Sequence, residues 1–96
     1  MRVRSSGKIA KALSKKGFLK NKKGHHQYYC LEVAGVQTDI YTYLSHGKKG
    51  NDYGNYLMQQ IKQQLRFEDT HLAERFFDCP MTKEEYINML SDLGEI

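Results

Sequence analysis

Two segments in which polar and apolar residues alternate, joined by a tight turn, constrain the fold of this chain most. Residues 26–33 and residues 36–44 alternate with a period of two, and Ala34-Gly35 separates them. That period is typical of β-strands with one buried face, and a two-residue connection with glycine is typical of a hairpin. A shorter strand, residues 18–22, precedes them, so we predict a three-stranded antiparallel sheet.

The alternation also divides the side chains of the hairpin between two faces. The face that we expect to be buried is mostly aliphatic and carries Tyr29, Leu31, Val33, Thr38, Ile40, Thr42 and Leu44. The opposite face carries His26, Tyr28, Cys30, Glu32, Asp39, Tyr41 and Tyr43. Since helices normally cover the apolar face of a sheet, the face with these tyrosines should stay uncovered.

Helical periodicity on both sides of the strands predicts the helices that provide this cover. Residues 7–17 have an apolar stripe and a preceding serine that can cap the first turn. Residues 53–66 have a second stripe, and Asn51 or Asp52 can cap that helix. The members of the second stripe are Leu57, Met58, Ile61 and Leu65.

The last third of the chain is predicted to be helical as well. A short helix should begin at Asp69 or Thr70, and the run from Thr82 to Glu85 has the pattern of a capping box. We therefore expect an α+β fold of the order α-β-β-β-α with a three-stranded antiparallel sheet, plus C-terminal helices. Residues 1–66 would form the main domain, and residues 67–96 an acidic helical extension packed on it.

Charge is divided unevenly between these two parts. Residues 1–66 hold 13 lysines and arginines against 3 acidic residues, a net charge of +10, whereas residues 67–96 hold 2 against 8, a net charge of −6. A small body with this positive charge is typical of proteins that bind a polyanion, most plausibly nucleic acid. A generic solvated surface remains the alternative.

Cysteine content and hydropathy indicate the compartment that we expect. Cys30 and Cys79 are too few for a disulfide framework and lack the spacing of a redox motif. No apolar run approaches the roughly 20 residues that span a bilayer, and the basic N-terminus is not followed by an apolar signal segment. We expect a cytoplasmic protein with reduced thiols and no membrane partner.

A basic turn at the start of the second strand has the residue types that RNA cleavage requires. Lys20, Lys22 and Lys23 are candidates to hold a phosphate, and Gly24 permits its close approach to the backbone. Histidine transfers protons near neutral pH, which makes His26 a candidate acid or base. No cofactor is needed for this chemistry.

Several features together resemble the HicA toxins of bacterial toxin–antitoxin pairs. They are a helix with a lysine-rich end followed by Gly17-Phe18, then Lys23-Gly24-His25-His26-Gln27-Tyr28-Tyr29, a hairpin, a glycine-rich basic loop and an amphipathic helix, within about residues 8–66. The resemblance implies a fold like that of double-stranded RNA-binding domains (dsRBDs) and an mRNA interferase activity. It also implies that His26 is the catalytic histidine and Tyr29 a core aromatic. Two departures are His25, where the family usually has serine or aspartate, and the long acidic tail.

The remaining histidines are candidates for assisting roles. His46 follows the third strand and is a possible second proton carrier, with an ordinary loop histidine as the alternative. His25 either assists or only flanks His26. We expect no metal, because strand alternation separates His25 from His26 and Cys30 and the three lack the spacing of a zinc site.

The tyrosines of the uncovered face admit three interpretations. Tyr28, Tyr41 and Tyr43 can stack on RNA bases, or they can pack beneath the helices of the tail. The resemblance favours a third, in which a HicB-type antitoxin covers them. For the whole chain, the alternatives to a ribonuclease are a non-catalytic RNA-binding module and a protein-interaction domain.

Overall fold

The predicted hairpin is present in the structure, which is a computed structural model. The model describes residues 1–23, 26–45, 52–78 and 80–96, with backbone alone at Lys22, Lys23 and Ser45. The described elements, in chain order, are β1 (Arg4–Ser5), α1 (Ser6–Lys15), β2 (Phe18–Lys23), β3 (His26–Val33), β4 (Val36–Ser45), β5 (Asp52–Tyr53), α2 (Asn55–Gln64), α3 (Thr70–Asp78) and α4 (Lys83–Asp92). The three-stranded antiparallel sheet has the order β2-β3-β4, so that part of the prediction is confirmed.

The turn between β3 and β4 has the backbone that its two residues allow. Ala34 and Gly35 both have positive φ, at 53° and 78°, and Val33 pairs with Val36 across the turn. Positive φ at both central positions is typical of the turn whose twist matches that of a hairpin. The short connection fixes which residues of β3 and β4 lie opposite each other.

An irregularity within the hairpin shifts the register without exchanging the two faces. Cys30 pairs with Tyr41, whereas Glu32 pairs with Gln37, a shift of two residues. The hydroxyl of Thr38 donates to the carbonyl of Leu31 at 2.9 Å and accepts from the amide of Ile40 at 3.2 Å. Because side chains alternate with a period of two, a shift of two keeps Ile40 and Leu31 on the buried face.

The helices lie on that buried face, as predicted. Ser5 caps α1 by accepting from the amide of Lys8 at 3.2 Å, and Ile9 and Leu13 of α1 are fully buried. Lys16, the residue that ends α1, is also buried, which the sequence pattern did not indicate; its ammonium donates to the carbonyl of Phe76 at 3.1 Å. This contact ties the end of α1 to the tail.

Two details of the second helix differ from the prediction. Asp52 does not cap it, because Asp52 belongs to β5 and pairs with Ser5 of β1, and the cap is Gly54. Asn51, the other predicted cap, lies outside the described residues. Leu57 is 42% exposed, whereas Met58, Ile61 and Leu65 are buried. These three follow the spacing i, i+3, i+7. Residues at that spacing stay on one face of a helix more closely than residues at successive steps of four.

The acidic tail shares its aromatic core with the sheet. Phe76 contacts Phe18 of β2 with ring centroids 6.3 Å apart and Tyr86 of α4 at 4.9 Å. Phe67 stacks on Tyr86 at 5.4 Å. The hydroxyl of Tyr86 donates to the carbonyl of Leu65 at 2.9 Å, and burial raises the pKa of Tyr86. The capping box of α4 is present, with Thr82 and Glu85 bonded to each other's backbone.

A buried arginine joins the N-terminal arm to the acidic helix α3. The side chain of Arg4 is 2% exposed, and its guanidinium lies 2.9 Å from Glu74 Oε1 and 3.1 Å from Asp78 Oδ1. Arg2 also pairs with Asp78, and Lys8 Nζ lies 3.4 Å from it. Among the ion pairs of the described residues, none involves β2, β3 or β4. Among the described side chains, the acidic tail therefore pairs with the N-terminal arm, Lys8 and Arg66, whereas Lys20 of β2 is in none of these ion pairs.

We expect the double substitution Glu74→Gln with Asp78→Asn to destabilise the fold by about 3 kcal/mol, because it leaves the buried charge of Arg4 uncompensated. Chemical denaturation measures this loss. Adding Arg4→Met to the double variant should restore much of the stability, since an apolar side chain of similar length replaces the orphaned charge. A double variant as stable as the wild type would contradict the role given to these ion pairs.

Acid should weaken the same cluster. Partial burial acts to raise the pKa of Glu74 and of Asp78, but hydrogen bonds and charge attraction from Arg4, then from Arg2, outweigh it and hold both values below the ordinary 4.5 and 3.8. The stabilisation is thus fully present above those ordinary values and is lost as pH falls through the lower folded-state values. Thermal melting between about pH 6 and about pH 2 should show this loss, and the double variant should show less of it.

Candidate nucleic-acid interface

His26 is the first residue of β3, and the sheet places it beside two other strand ends. It pairs with Lys23 of β2 on one side and with Ser45 of β4 on the other. Its side chain is half-buried on the face that the helices leave uncovered. Its ring centroid lies 5.0 Å from that of Tyr43, with the ring planes at 87°, and 6.2 Å from that of Tyr28. The imidazole is therefore held edge-on against aromatic rings and remains accessible.

The three predicted tyrosines extend this aromatic surface along the sheet. Tyr28 lies directly opposite Tyr43 in the ladder, with ring centroids 5.6 Å apart, and 6.1 Å from Tyr41. Tyr41 is 49% exposed and Tyr43 42% exposed, so the helices of the tail do not bury them. We call the surface formed by His26, Tyr28, Tyr41 and Tyr43 the tyrosine face.

The register separates the candidate phosphate ligands. Lys23 pairs with His26, so the two positions share a face, and Lys22 pairs with Gln27. Lys20 pairs with Tyr29, a core residue that is 2% exposed, so its position has the parity of the opposite face. The ladder thus does not bring Lys20 together with His26. The side chains of Lys22 and Lys23 lie outside the described residues.

Three further candidates cannot be placed. Gly24, His25 and His46 lie outside the described residues, so the turn geometry and both assisting roles stay predictions. Ser45, which immediately precedes His46 in the sequence, is the residue that pairs with His26 in the ladder.

A groove beside the tyrosine face contains residues that the sequence analysis did not select. It has a volume of about 510 Å³ and lies between β4 and α2. Its lining is polar and aromatic, and comprises Asp39, Tyr41, Tyr43, Gln60, Gln63, Gln64 and Arg66. In a sequence, glutamines opposite an apolar stripe are typical of an ordinary solvated helix face. Only the packing of α2 along the edge of the sheet reveals that they oppose two tyrosines.

Gln64 and Arg66 show how the groove is built. Thr42 is a buried residue of β4, and its hydroxyl donates to the side chain of Gln64. This hydrogen bond ties α2 to the strand. Arg66 follows α2 with a φ of 71°, and its amide donates to the carbonyl of Gln63 at 3.0 Å. This left-handed backbone is uncommon for a residue other than glycine. The chain thus leaves the helix at a residue that lines the groove.

Within the described ranges, the chain has neither a candidate metal site nor a candidate membrane span. No three histidine, cysteine, aspartate or glutamate side chains there come close enough together to hold a metal ion. No described helix has the length and apolar content that crossing a bilayer requires.

Comparison with known proteins adds no relative: no family model matches this chain, and neither the curated proteins nor the solved structures provide a match. Any function of this chain is therefore inferred from its own residues.

The two faces of the sheet should respond differently to truncation of a tyrosine. Tyr29→Ala should lower the free energy of unfolding by about 3–5 kcal/mol, because it removes a ring from the core. Tyr41→Ala should cost about 1 kcal/mol or less, since it removes only a half-exposed cross-strand contact. Denaturant titration of both variants measures the difference, and equal costs would show that the tyrosine face is part of the core.

Proposed function

We propose that this protein is an endoribonuclease of the HicA-like toxin type, acting on RNA in the cytoplasm without a cofactor, with His26 as the proton-transfer group. The observation that carries the proposal is the position of His26. Its imidazole is half-buried but accessible, held against Tyr43 at 5.0 Å, and paired in the ladder with a lysine. An imidazole packed among aliphatic side chains, remote from any cation, would not serve this chemistry.

The reaction assigned to this site is cleavage by the 2′-hydroxyl of the RNA itself. The 2′-oxygen forms a bond to phosphorus as its proton passes to a base, and the bond from phosphorus to the 5′-oxygen breaks as that oxygen takes a proton from an acid. His26 takes one of these two roles. Cations of the basic turn, Lys23 foremost, stabilise the negative charge that develops on the phosphate oxygens.

The order of the elements supports the finer fold assignment. Helix α1, strands β2 to β4 and helix α2 follow the α-β-β-β-α order of a dsRBD-like domain, with both helices on one face of the sheet. The small β1-β5 pair and the helices α3 and α4 are additions to that order. We propose that residues 1–66 are the RNA-acting part and that the tail stabilises it through the shared aromatic core.

Replacing His26 by alanine should reduce RNA cleavage by about 10²- to 10⁴-fold, because a positioned proton-transfer group is lost. Cleavage of a labelled single-stranded RNA, measured in the presence of EDTA, tests this expectation. His71→Ala, which changes an exposed histidine of α3, is the matched control and should cleave at the wild-type rate. Wild-type activity in the His26→Ala variant would exclude the assignment of His26.

A non-catalytic RNA-binding module is the second candidate, and the row of exposed tyrosines favours it specifically. Aromatic rings on an open sheet face stack on bases whether or not a bond is cleaved. RNA binding without cleavage in EDTA would select this candidate.

The same tyrosines suit a protein partner, since tyrosine is enriched at interfaces. We propose a HicB-type antitoxin as that partner, and its copurification with this chain is the direct test.

A further inference from the structure

The groove between β4 and α2 has the size of a binding site but not the charge of a phosphate site. Its volume of about 510 Å³ falls within the range of roughly 300–1,000 Å³ that is typical of small-ligand pockets. Its two ionisable groups with a formal charge, Asp39 and Arg66, have opposite signs. Residues 1–66 as a whole carry a net charge of +10, so this neutral groove stands out from its surroundings. A carboxylate in the lining opposes entry of a phosphate.

The groove does offer what a flat, neutral, polar ring requires. Tyr41 and Tyr43 supply aromatic surface, on which every nucleobase can stack. Gln60 and Gln63 each carry a carboxamide, which presents both a donor and an acceptor. The edges of nucleobases display donors and acceptors side by side, and a single carboxamide can form two hydrogen bonds to one such edge.

One nitrogen of Arg66, a residue that lines the groove, lacks an acceptor within the described part of the chain. Arg66 Nε is buried and makes no hydrogen bond there, although the guanidinium reaches to 4.0 Å from Glu95 through another nitrogen. A buried donor of a charged group without a partner is costly, and such groups are normally satisfied. The positive φ of Arg66, 71°, adds a strained backbone at the same residue. Both features are typical of residues held in place for a ligand.

We propose that this groove binds one unpaired nucleobase of the RNA substrate, an inference that rests on the proposed ribonuclease function. The base stacks against the tyrosines, its edge contacts Gln60, Gln63 and Asp39, and an acceptor of the base or its ribose accepts a hydrogen bond from the guanidinium of Arg66, which lines the groove. Tyr43 both lines the groove and contacts His26, with ring centroids 5.0 Å apart. The base in the groove therefore belongs to a nucleotide next to the reacting phosphate, and it sets sequence preference.

Single-stranded RNA is the substrate class that this geometry selects. In a duplex the edges of the bases are already paired, and the bases are stacked on one another, so neither the glutamines nor the tyrosines can reach them.

The test measures equilibrium binding of four short RNA homopolymers, and of one RNA duplex, to the full chain carrying His26→Ala, which prevents cleavage during the measurement. In this background, Gln63→Ala, Asp39→Asn and Arg66→Lys should each change the ratios of affinity among the homopolymers by about two- to tenfold, the effect of losing one hydrogen bond. Arg66→Lys keeps the charge and removes the planar guanidinium. Gln59→Ala, on the same helix but outside the groove lining, is the matched control and should leave the ratios unchanged.

Thermal melting of each variant establishes that it is folded before its binding is compared. Changed ratios in the groove variants, with unchanged ratios in Gln59→Ala and no effect on duplex binding, support the nucleobase site. Homopolymer ratios that stay the same in all three groove variants, while RNA still binds, overturn the site and leave the proposed ribonuclease intact. A chain that neither binds nor cleaves RNA overturns both.

Discussion

The aromatic cluster beneath the sheet is the contact on which the rest of the structure depends. Phe18 of β2 meets Phe76 and Tyr86 of the tail, so one face of a three-stranded sheet is sealed by residues that lie far apart in the sequence. A sheet this small is unstable unless one face packs against helices. Burying one face through this cluster leaves the other face open, and that open face carries His26 and the tyrosines.

The charges of the chain follow the same division between a covered and an open side. The acidic residues Glu74 and Asp78 pair with Arg2, Arg4 and Lys8, on the side where the tail packs. Among the described side chains, Lys20 of β2 is in none of these ion pairs. Residues 1–66, with a net charge of +10, thus remain a basic region beside a tail that pairs with them through two carboxylates at one junction. Long-range attraction of a polyanion depends on such a region more than on the net charge.

Patterns with a short period predicted most of the fold. These patterns depend on residues that are close together in the sequence. They predicted the bounds of β3, the two faces of the hairpin, the cap of α1 and the capping box of α4. The β1-β5 pair was missed because each strand has two residues, too few for a pattern. The burial of Lys16 and Arg4 was missed because each depends on a partner in α3, more than 50 residues away. The candidate site was predicted in the same uneven way: alternation placed His26 and the tyrosines on one face, whereas the groove depends on how α2 lies along β4, which local pattern does not encode.

The position of β2 at the edge of the sheet has a consequence for self-association. In the described sheet β2 pairs on one side only, with β3, so its other side offers backbone donors and acceptors to any strand that approaches. A second copy arriving there in antiparallel fashion would bring lysines of the two strands close together, with Lys20 opposite Lys23 in one register. Mutual repulsion then discourages pairing of two copies through this edge, and salt, which screens that repulsion, weakens the protection. The lysines proposed to attract RNA thus also oppose strand-to-strand association of two copies at this edge.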